Sequence, residues 1–292
     1  MSHPETGKLN NSQCAVQRPC QKPNLIVSIA TIPSRIGKLR PTLESLLHGN
    51  LVPDKILVVH PEFCKWESSN YEIPDFLRDP AFCKGIIENY VCSTDWGPGT
   101  KLLGALEFID AECILVIADD DIIYHKDFLK GLVKSQISDE KSSFSYYTYR
   151  AGGLRIGQGC DGFSFWSPNL SGAKEFVDKY VTGTTLLYHD DLWISFFLFS
   201  KNIVIRQTPL PTGQKLIYEQ VLPNNVLSSE ISGTLARDNI FKEALPRLAK
   251  SVNISQTMKL QLCIYGATDK VKMKCRNAFI RAISLKKKYH DF

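Results

Sequence analysis

Short apolar runs alternate with amphipathic stretches along the first half of the chain. Leu25 to Ala30, Lys55 to His60, Ile86 to Cys92 and Cys113 to Ala118 are each too short for a helix and end in charged or turn residues. That pattern predicts buried strands. Between them Leu39, Leu43, Leu46 and Leu47 fall at helical spacing, and a second helix is expected over Thr100 to Phe108, after the break Gly97-Pro98-Gly99. Strand and helix in alternation imply an α/β fold with a mainly parallel, twisted sheet flanked by helices on both faces. Ligands of such sheets gather beyond the carboxyl ends of the strands. Three segments fall there: Thr31 to Arg35, Asp95 to Lys101, and Asp119 to Asp121.

Past Phe128 the pattern loosens. An aromatic strand is expected over Phe144 to Tyr149, then a glycine-rich stretch through Gly162. A short helix is expected over Gly172 to Tyr180, another from Asp190 to Phe199, and a strand over Ile203 to Arg206. From about Gly233 onward the chain reads as helical and basic. No internal repeat or low-complexity block breaks it into further units.

Asp119-Asp120-Asp121 carries the most chemistry. Three carboxylates at the end of a buried strand repel one another and lose hydration. A hard divalent cation, Mg²⁺ or Mn²⁺, offsets that cost and binds phosphate on its other face. In an extended segment residues two apart share a side, so Asp119 and Asp121 converge while Asp120 points away. A plain surface turn is the competing reading.

Composition narrows the class. The chain has 292 residues and an ordinary apolar content, with no run long enough to span a membrane. Met1 to Pro23 is polar, without the apolar core of a signal peptide, and reads as a flexible arm. Nine cysteines without C-x-x-C pairing suggest neither a zinc cage nor a disulfide framework, which points to the cytosol. Asn10, Asn169 and Asn253 then count for little as glycosylation sites. The formal net charge is +5, with the excess between Lys270 and Lys288. Lys286-Lys287-Lys288 reads first as a solvated face and second as a weak peripheral membrane contact. Aromatics interleaved with these lysines are missing, which argues against nucleic acid.

Taken in order, Pro33-Ser34-Arg35 after the first strand, the strand-terminal Asp119-Asp120-Asp121 and the later His189-Asp190-Asp191-Leu192-Trp193 resemble the GT-A glycosyltransferases. The likeness is to family 2 nucleotide-sugar transferases, and the DDD form suggests the small viral and bacterial kind. It covers roughly residues 24 to 207. With the polar arm over 1–23 outside it, the resemblance implies a catalytic domain over 24–207, split into a nucleotide-binding half (24–125) and an acceptor half (126–207). A mainly helical basic extension over 208–292 would pack on the same domain.

It also implies roles. Asp121 would bind Mn²⁺ or Mg²⁺ directly, with Asp119 beside it on the ribose or a metal-bound water and Asp120 in the same nucleotide site. Thr31, Pro33 and Arg35 would meet the nucleotide, Asp95 the uracil imide, and Lys101 the diphosphate. Asp191 would remove the acceptor hydroxyl proton, with Asp190 as its neighbour, in an inverting displacement. His189 departs from the family pattern and is a second candidate metal ligand. Asp161, Gly162 and Trp166 would face the acceptor, since sugar rings pack on aromatic faces and their hydroxyls need directional partners. The expected partners are a nucleotide-sugar donor, most simply a UDP-sugar, and a glycan or glycoconjugate acceptor.

Against several of these stand plain structural readings: Asp190 or Thr100 as a helix cap, Arg35 as a surface cation, Trp166 as core. Three rival functions remain at this stage. A haloacid-dehalogenase-like phosphatase also uses Asp-x-Asp after an apolar strand, but normally on its first strand. A sugar nucleotidyltransferase would carry a more glycine-rich, basic first loop. A binding module that kept the fold without turnover is the third.

Overall fold

A computed structural model describes residues 23–151 and 154–222. Expectations for the arm, for Lys270 to Lys288, for the helical region after Gly233, and for Asn10 and Asn253 lie outside those residues.

The predicted strands of the first half appear as β1 (Asn24–Ala30), β2 (Lys55–Pro61), β5 (Ile87–Cys92) and β6 (Cys113–Ala118). Between β2 and β5 a hairpin of β3 (Phe63–Cys64) and β4 (Ser69–Asn70) stands clear of the sheet. The first loop tightens into a single helical turn, α1 (Pro33–Ile36), which leads to α2 (Arg40–Leu47). A short α3 (Pro80–Cys83) is capped by Asp79, and α4 (Thr100–Phe108) covers the predicted range.

The second half departs further from expectation. A short β7 (Ile122–Tyr124) and an eleven-residue α5 (Phe128–Ser138) follow the acidic triplet. The expected aromatic strand is two strands, β8 (Ser142–Ser145) and β9 (Thr148–Ala151). They part because Tyr146 turns into the core, where its hydroxyl donates to the Phe128 carbonyl at 2.8 Å. Tyr146 and Tyr147 therefore lie between the two strands, and Tyr149 alone of the three tyrosines is on a strand. After β10 (Leu154–Gly157), the segment expected as a flexible acceptor loop contains a strand, β11 (Phe163–Trp166). The chain continues through α6 (Ala173–Tyr180), α7 (Asp190–Ser200), β12 (Val204–Gln207) and β13 (Tyr218–Val221).

Seven strands form one sheet in the order β12-β8-β11-β6-β1-β2-β5. All neighbours are parallel except around β11, which runs antiparallel to both β6 and β8. The Rossmann-like, mainly parallel α/β arrangement expected from the sequence is present. Every residue of β6 is buried, because both faces of the sheet are covered. On one face Leu25, Val27 and Ile29 of β1 pack with Leu39 and Leu43, the latter on α2, and with Phe128 and Leu132 of α5. On the other, Leu115 and Ile117 of β6 pack with Leu102 of α4 and with Trp193, Phe197 and Leu198 of α7. Alternate residues of a strand face opposite sides, so this two-sided core follows directly from the continuous apolar runs. Among the described residues no helix is long and apolar enough to cross a membrane.

The described residues beyond 207 run on to Leu222 and reach the acidic triplet. Here β13 pairs antiparallel with β7, and the Leu222 N–H donates to the Asp121 carbonyl at 2.7 Å. The described part of the extension thus carries a strand beside the acidic triplet.

Candidate active site

The end of β6 delivers the triplet, and each aspartate meets a different environment. Asp120 is buried: one carboxylate oxygen accepts from the Thr31 hydroxyl at 2.7 Å and the other is ion-paired with Arg35. Its carbonyl accepts from the Thr42 hydroxyl at 3.0 Å. Asp119 points instead toward α4, where its Oδ1 lies 2.6 Å from Lys101 Nζ. Asp121 is 3.9 Å from the Arg35 guanidinium. Burial, aided by the Asp119 carboxylate, pushes the Asp121 carboxyl up to about 6 against the pull of Arg35.

A second pair of acids arrives from α7. Asp190 Oδ2 lies 3.0 Å from the same Lys101 Nζ. Asp191 Oδ1 accepts the Gly159 backbone N–H at 2.7 Å. The Asp191 carboxyl is pushed up to about 8, first by burial and then by Asp190, against the partial relief of Lys101 and the Gly159 N–H. Burial alone would lower the Lys101 ammonium, yet Asp119, Asp190 and Asp191 together raise it well above its ordinary value. Five carboxylates thus surround two cations, Lys101 and Arg35.

Backbone geometry locks the two acid sites together. The hydroxyl of Ser195, one turn into α7, donates to the Asp191 carbonyl at 2.6 Å and accepts the Gly157 N–H at 3.1 Å. A β-carbon on Gly159 would sit 3.1 Å from Asp191 Oδ1 and 3.3 Å from Lys101 Nζ, so the glycine gives these side-chain ends room for the close approach. The buried Tyr124 hydroxyl accepts the Asp119 N–H at 2.9 Å and donates to the Cys160 carbonyl at 3.3 Å. Sequence reading passed over Tyr124, Gly159, Ser195 and Thr42. An aromatic after a strand reads as core, and the contacts Tyr124–Cys160, Ser195–Gly157, Thr42–Asp120 and Gly159–Asp191 span 36, 38, 78 and 32 residues, distances that no local pattern encodes.

Several expected site residues gather here and others do not. Thr31, Arg35, Lys101, Asp119, Asp120, Asp121, Asp190 and Asp191 form one connected cluster through the contacts above. Pro33 opens α1 beside them. Asp95 stands at the same rim, but its carboxylate accepts the Lys65 and Gly97 N–H groups, both at 2.8 Å, and so shapes the turn into α4. Asp161 is buried in the tight turn Gly159–Asp161, and Gly162 follows at φ +82°, where a β-carbon would meet the Phe128 ring at 2.4 Å. Trp166 is carried away from the cluster. It pairs with Ile114 near the start of β6, three residues and about 10 Å from the Phe163–Ile117 pair at the acidic end. Its indole packs against the core, so the acceptor role does not fit its place in the sheet. The exposed aromatic faces at the acidic end are Trp66, from the β3–β4 turn, and Tyr188, just before His189; they meet edge to face at 5.5 Å.

A cleft of about 410 Å³ lies at the opposite end of the sheet, between Ala111–Glu112 and Ser167–Glu175, far from the acids. Among the described residues no three His, Cys, Asp or Glu side chains form a ready metal cage, His189 included. Mg²⁺ and Mn²⁺ are commonly held by one or two carboxylates plus substrate phosphates and water, so Asp121 and Asp119 are the side chains that would hold such an ion. The excess of carboxylate over cation and the raised Asp121 carboxyl fit such an ion.

No family model matches the chain, and no curated protein matches it. Among solved structures it is similar to residues 1–349 of S. aureus TarS in complex with UDP-GlcNAc, with TM-score 0.53 and 13 % identity over 82 % of this chain and 70 % of that one. TarS 1–349 in a second structure gives TM-score 0.49 and 14 % identity over 82 % and 69 %. The Francisella tularensis 2-C-methyl-D-erythritol 4-phosphate cytidylyltransferase (IspD) gives TM-score 0.39 and 17 % identity over 64 % and 91 %. What the first of these shares with this chain is the fold, which is GT-A-like.

Proposed function

We propose that this protein is a metal-dependent glycosyltransferase that moves a sugar from a UDP-sugar to a hydroxyl of a glycan or glycoconjugate, with inversion. The observation that carries the proposal is the pairing of two acid sites across one buried lysine. One, Asp119 and Asp121, lies at the carboxyl end of the central strand, where α/β sheets take their ligands. The other holds Asp191, a half-buried carboxyl raised by desolvation and by Asp190 into the range useful for accepting a proton near neutral pH. A structure of the same fold holds UDP-GlcNAc, which supports the choice of donor.

Asp121, with Asp119, would hold Mn²⁺ or Mg²⁺; when bound, the ion neutralises the donor diphosphate and makes it a stable leaving group. Arg35 lies beside Asp121, and its buried Nε has no hydrogen-bond partner, so a phosphate oxygen is a natural complement. Thr31 and Asp120 hold that guanidinium and the first loop in place. Asp191 keeps Oδ1 on the Gly159 N–H and presents Oδ2 to the incoming hydroxyl. Asp190, fixed by Lys101, keeps a negative neighbour beside it. Trp66 and Tyr188 offer the aromatic surface for a sugar ring that Trp166 does not.

Calorimetric titration with nucleoside diphosphates and UDP-sugars, with and without Mn²⁺, tests the reading. Micromolar binding of UDP that vanishes on chelation, and that Asp121→Ala abolishes with the fold intact, is the expected result. No metal-dependent nucleotide binding by the wild-type protein would refute it.

A further inference from the structure

The motif around Lys101 is built more rigidly than a flexible phosphate-binding lysine needs. The turn before it is fixed by Asp95 on the Gly97 N–H and by the Thr100 hydroxyl on the Trp96 N–H at 3.1 Å. Gly99 lies against the buried Trp193 indole of α7; a β-carbon there would come within 2.6 Å of the ring. From this base the Lys101 side chain, only 7 % exposed, runs inward to carboxylates from two distant elements. It meets Asp119 at 2.6 Å and Asp190 at 3.0 Å, 18 and 89 residues away. Asp191 adds a third acid to the same surroundings. A diphosphate approaching this ammonium would meet carboxylates first.

We infer that Lys101 is a positioning residue: its ammonium clamps the donor-side acid Asp119 to the acceptor-side acid Asp190 and so sets the spacing between the two half-sites. This rests on the transferase reading but gives Lys101 a different task from holding the donor. Fixed geometry between reacting groups is worth orders of magnitude in rate, and small misplacements are costly. The clamp is a second link between the halves, beside the Tyr124 hydroxyl that joins the Asp119 N–H to the Cys160 carbonyl. With it released, Asp191 would still be present, but α7 would be free to shift against the end of β6.

The test compares K101M, K101R, D190N and the K101M/D190N double variant. Mn²⁺-dependent UDP binding is read by calorimetry, turnover by UDP release from UDP-GlcNAc or whichever UDP-sugar the titration selects, and folding by thermal melts. For K101M, turnover per folded molecule should drop ~100-fold while UDP affinity changes less than ~3-fold. K101R, which can bridge two carboxylates, should recover at least ~10-fold of that loss. The double variant should be little worse than either single one, because both remove the same contact. A UDP affinity weakened ~10-fold or more in K101M would instead make Lys101 a diphosphate ligand and overturn the clamp. Unchanged turnover in folded K101M, or fully additive losses, would overturn it too. If K101M does not fold, K101R against D190N carries the comparison: K101R must keep turnover that D190N loses. Wild-type protein that binds no nucleotide would remove both the clamp and the transferase reading, whereas normal wild-type binding with a failed K101M prediction removes the clamp alone.

Discussion

Asp120 and Asp191 are the same side chain in opposite states. Both are withdrawn from water at the carboxyl end of the sheet. Asp120 is matched by the Arg35 guanidinium, the Thr31 hydroxyl and, through its carbonyl, the Thr42 hydroxyl. Its charge is spent on the fold, tying the first loop to the end of β6. Asp191 receives one backbone N–H and sits among like charges, so its carboxyl is driven up to about 8. The contrast teaches that burial of an acid does not mark chemistry; burial without compensation does.

Substitution at the two positions should break along that line. Asp120→Ala leaves Arg35 facing only the more distant Asp121, and losing one partner of a buried pair costs about 3–5 kcal/mol. Chemical denaturation should show that loss, with donor binding failing as a consequence. Asp191→Asn should fold normally and keep donor affinity, while turnover falls ~100-fold or more, about 2.7 kcal/mol of barrier. An Asp191→Asn protein as unstable as Asp120→Ala would erase the distinction between anchor and reactive group.

Acidity sharpens it next. Between its ordinary value of 3.8 and about 8, Asp191 stays protonated in the native state after the unfolded chain has released that proton. The native state then binds more protons, so stability falls as pH rises through this window. Without added metal, the wild-type protein should lose on the order of 1–2 kcal/mol between pH 5 and 7.5 relative to Asp191→Asn, while the trend from Asp121, raised to about 6, is common to both proteins and cancels. Parallel stability curves for the two proteins would show that Asp191 is compensated after all.

The same contrast explains what the sequence disclosed. Leu25–Ala30, Lys55–His60 and Cys113–Ala118 announced themselves because strands covered on both faces are continuously apolar, and Thr100–Phe108 followed a clear break. The triplet stood out as charge where burial was expected. Phe163–Trp166 is a strand through its pairing with both β6 and β8, contacts that no local pattern encodes. An aromatic face in the sequence therefore says nothing of which end of the sheet Trp166 occupies. The division of labour among the acids was equally hidden. Which aspartate finds Arg35, and which finds only a glycine N–H, depends on contacts 32 to 89 residues apart.

Gly159 gives the finest probe of the uncompensated site. Its N–H is the one hydrogen-bond donor holding Asp191 Oδ1, and the space beside its α-carbon is shared by that oxygen and Lys101 Nζ, at 3.1 and 3.3 Å from a β-carbon. Gly159→Ala keeps the donor but crowds both neighbours, each the far end of a side chain that can give by a few tenths of an ångström. The cost should therefore stay below ~1 kcal/mol, read as a few-fold drop in turnover with donor affinity and melting temperature nearly unchanged. The displacement falls on the Asp191–Lys101 side and leaves the Asp120–Arg35 anchor untouched. A loss as large as that of Asp191→Asn would mean that Oδ1 tolerates no movement, and the reactive carboxylate would then be as rigidly placed as the anchor it is contrasted with.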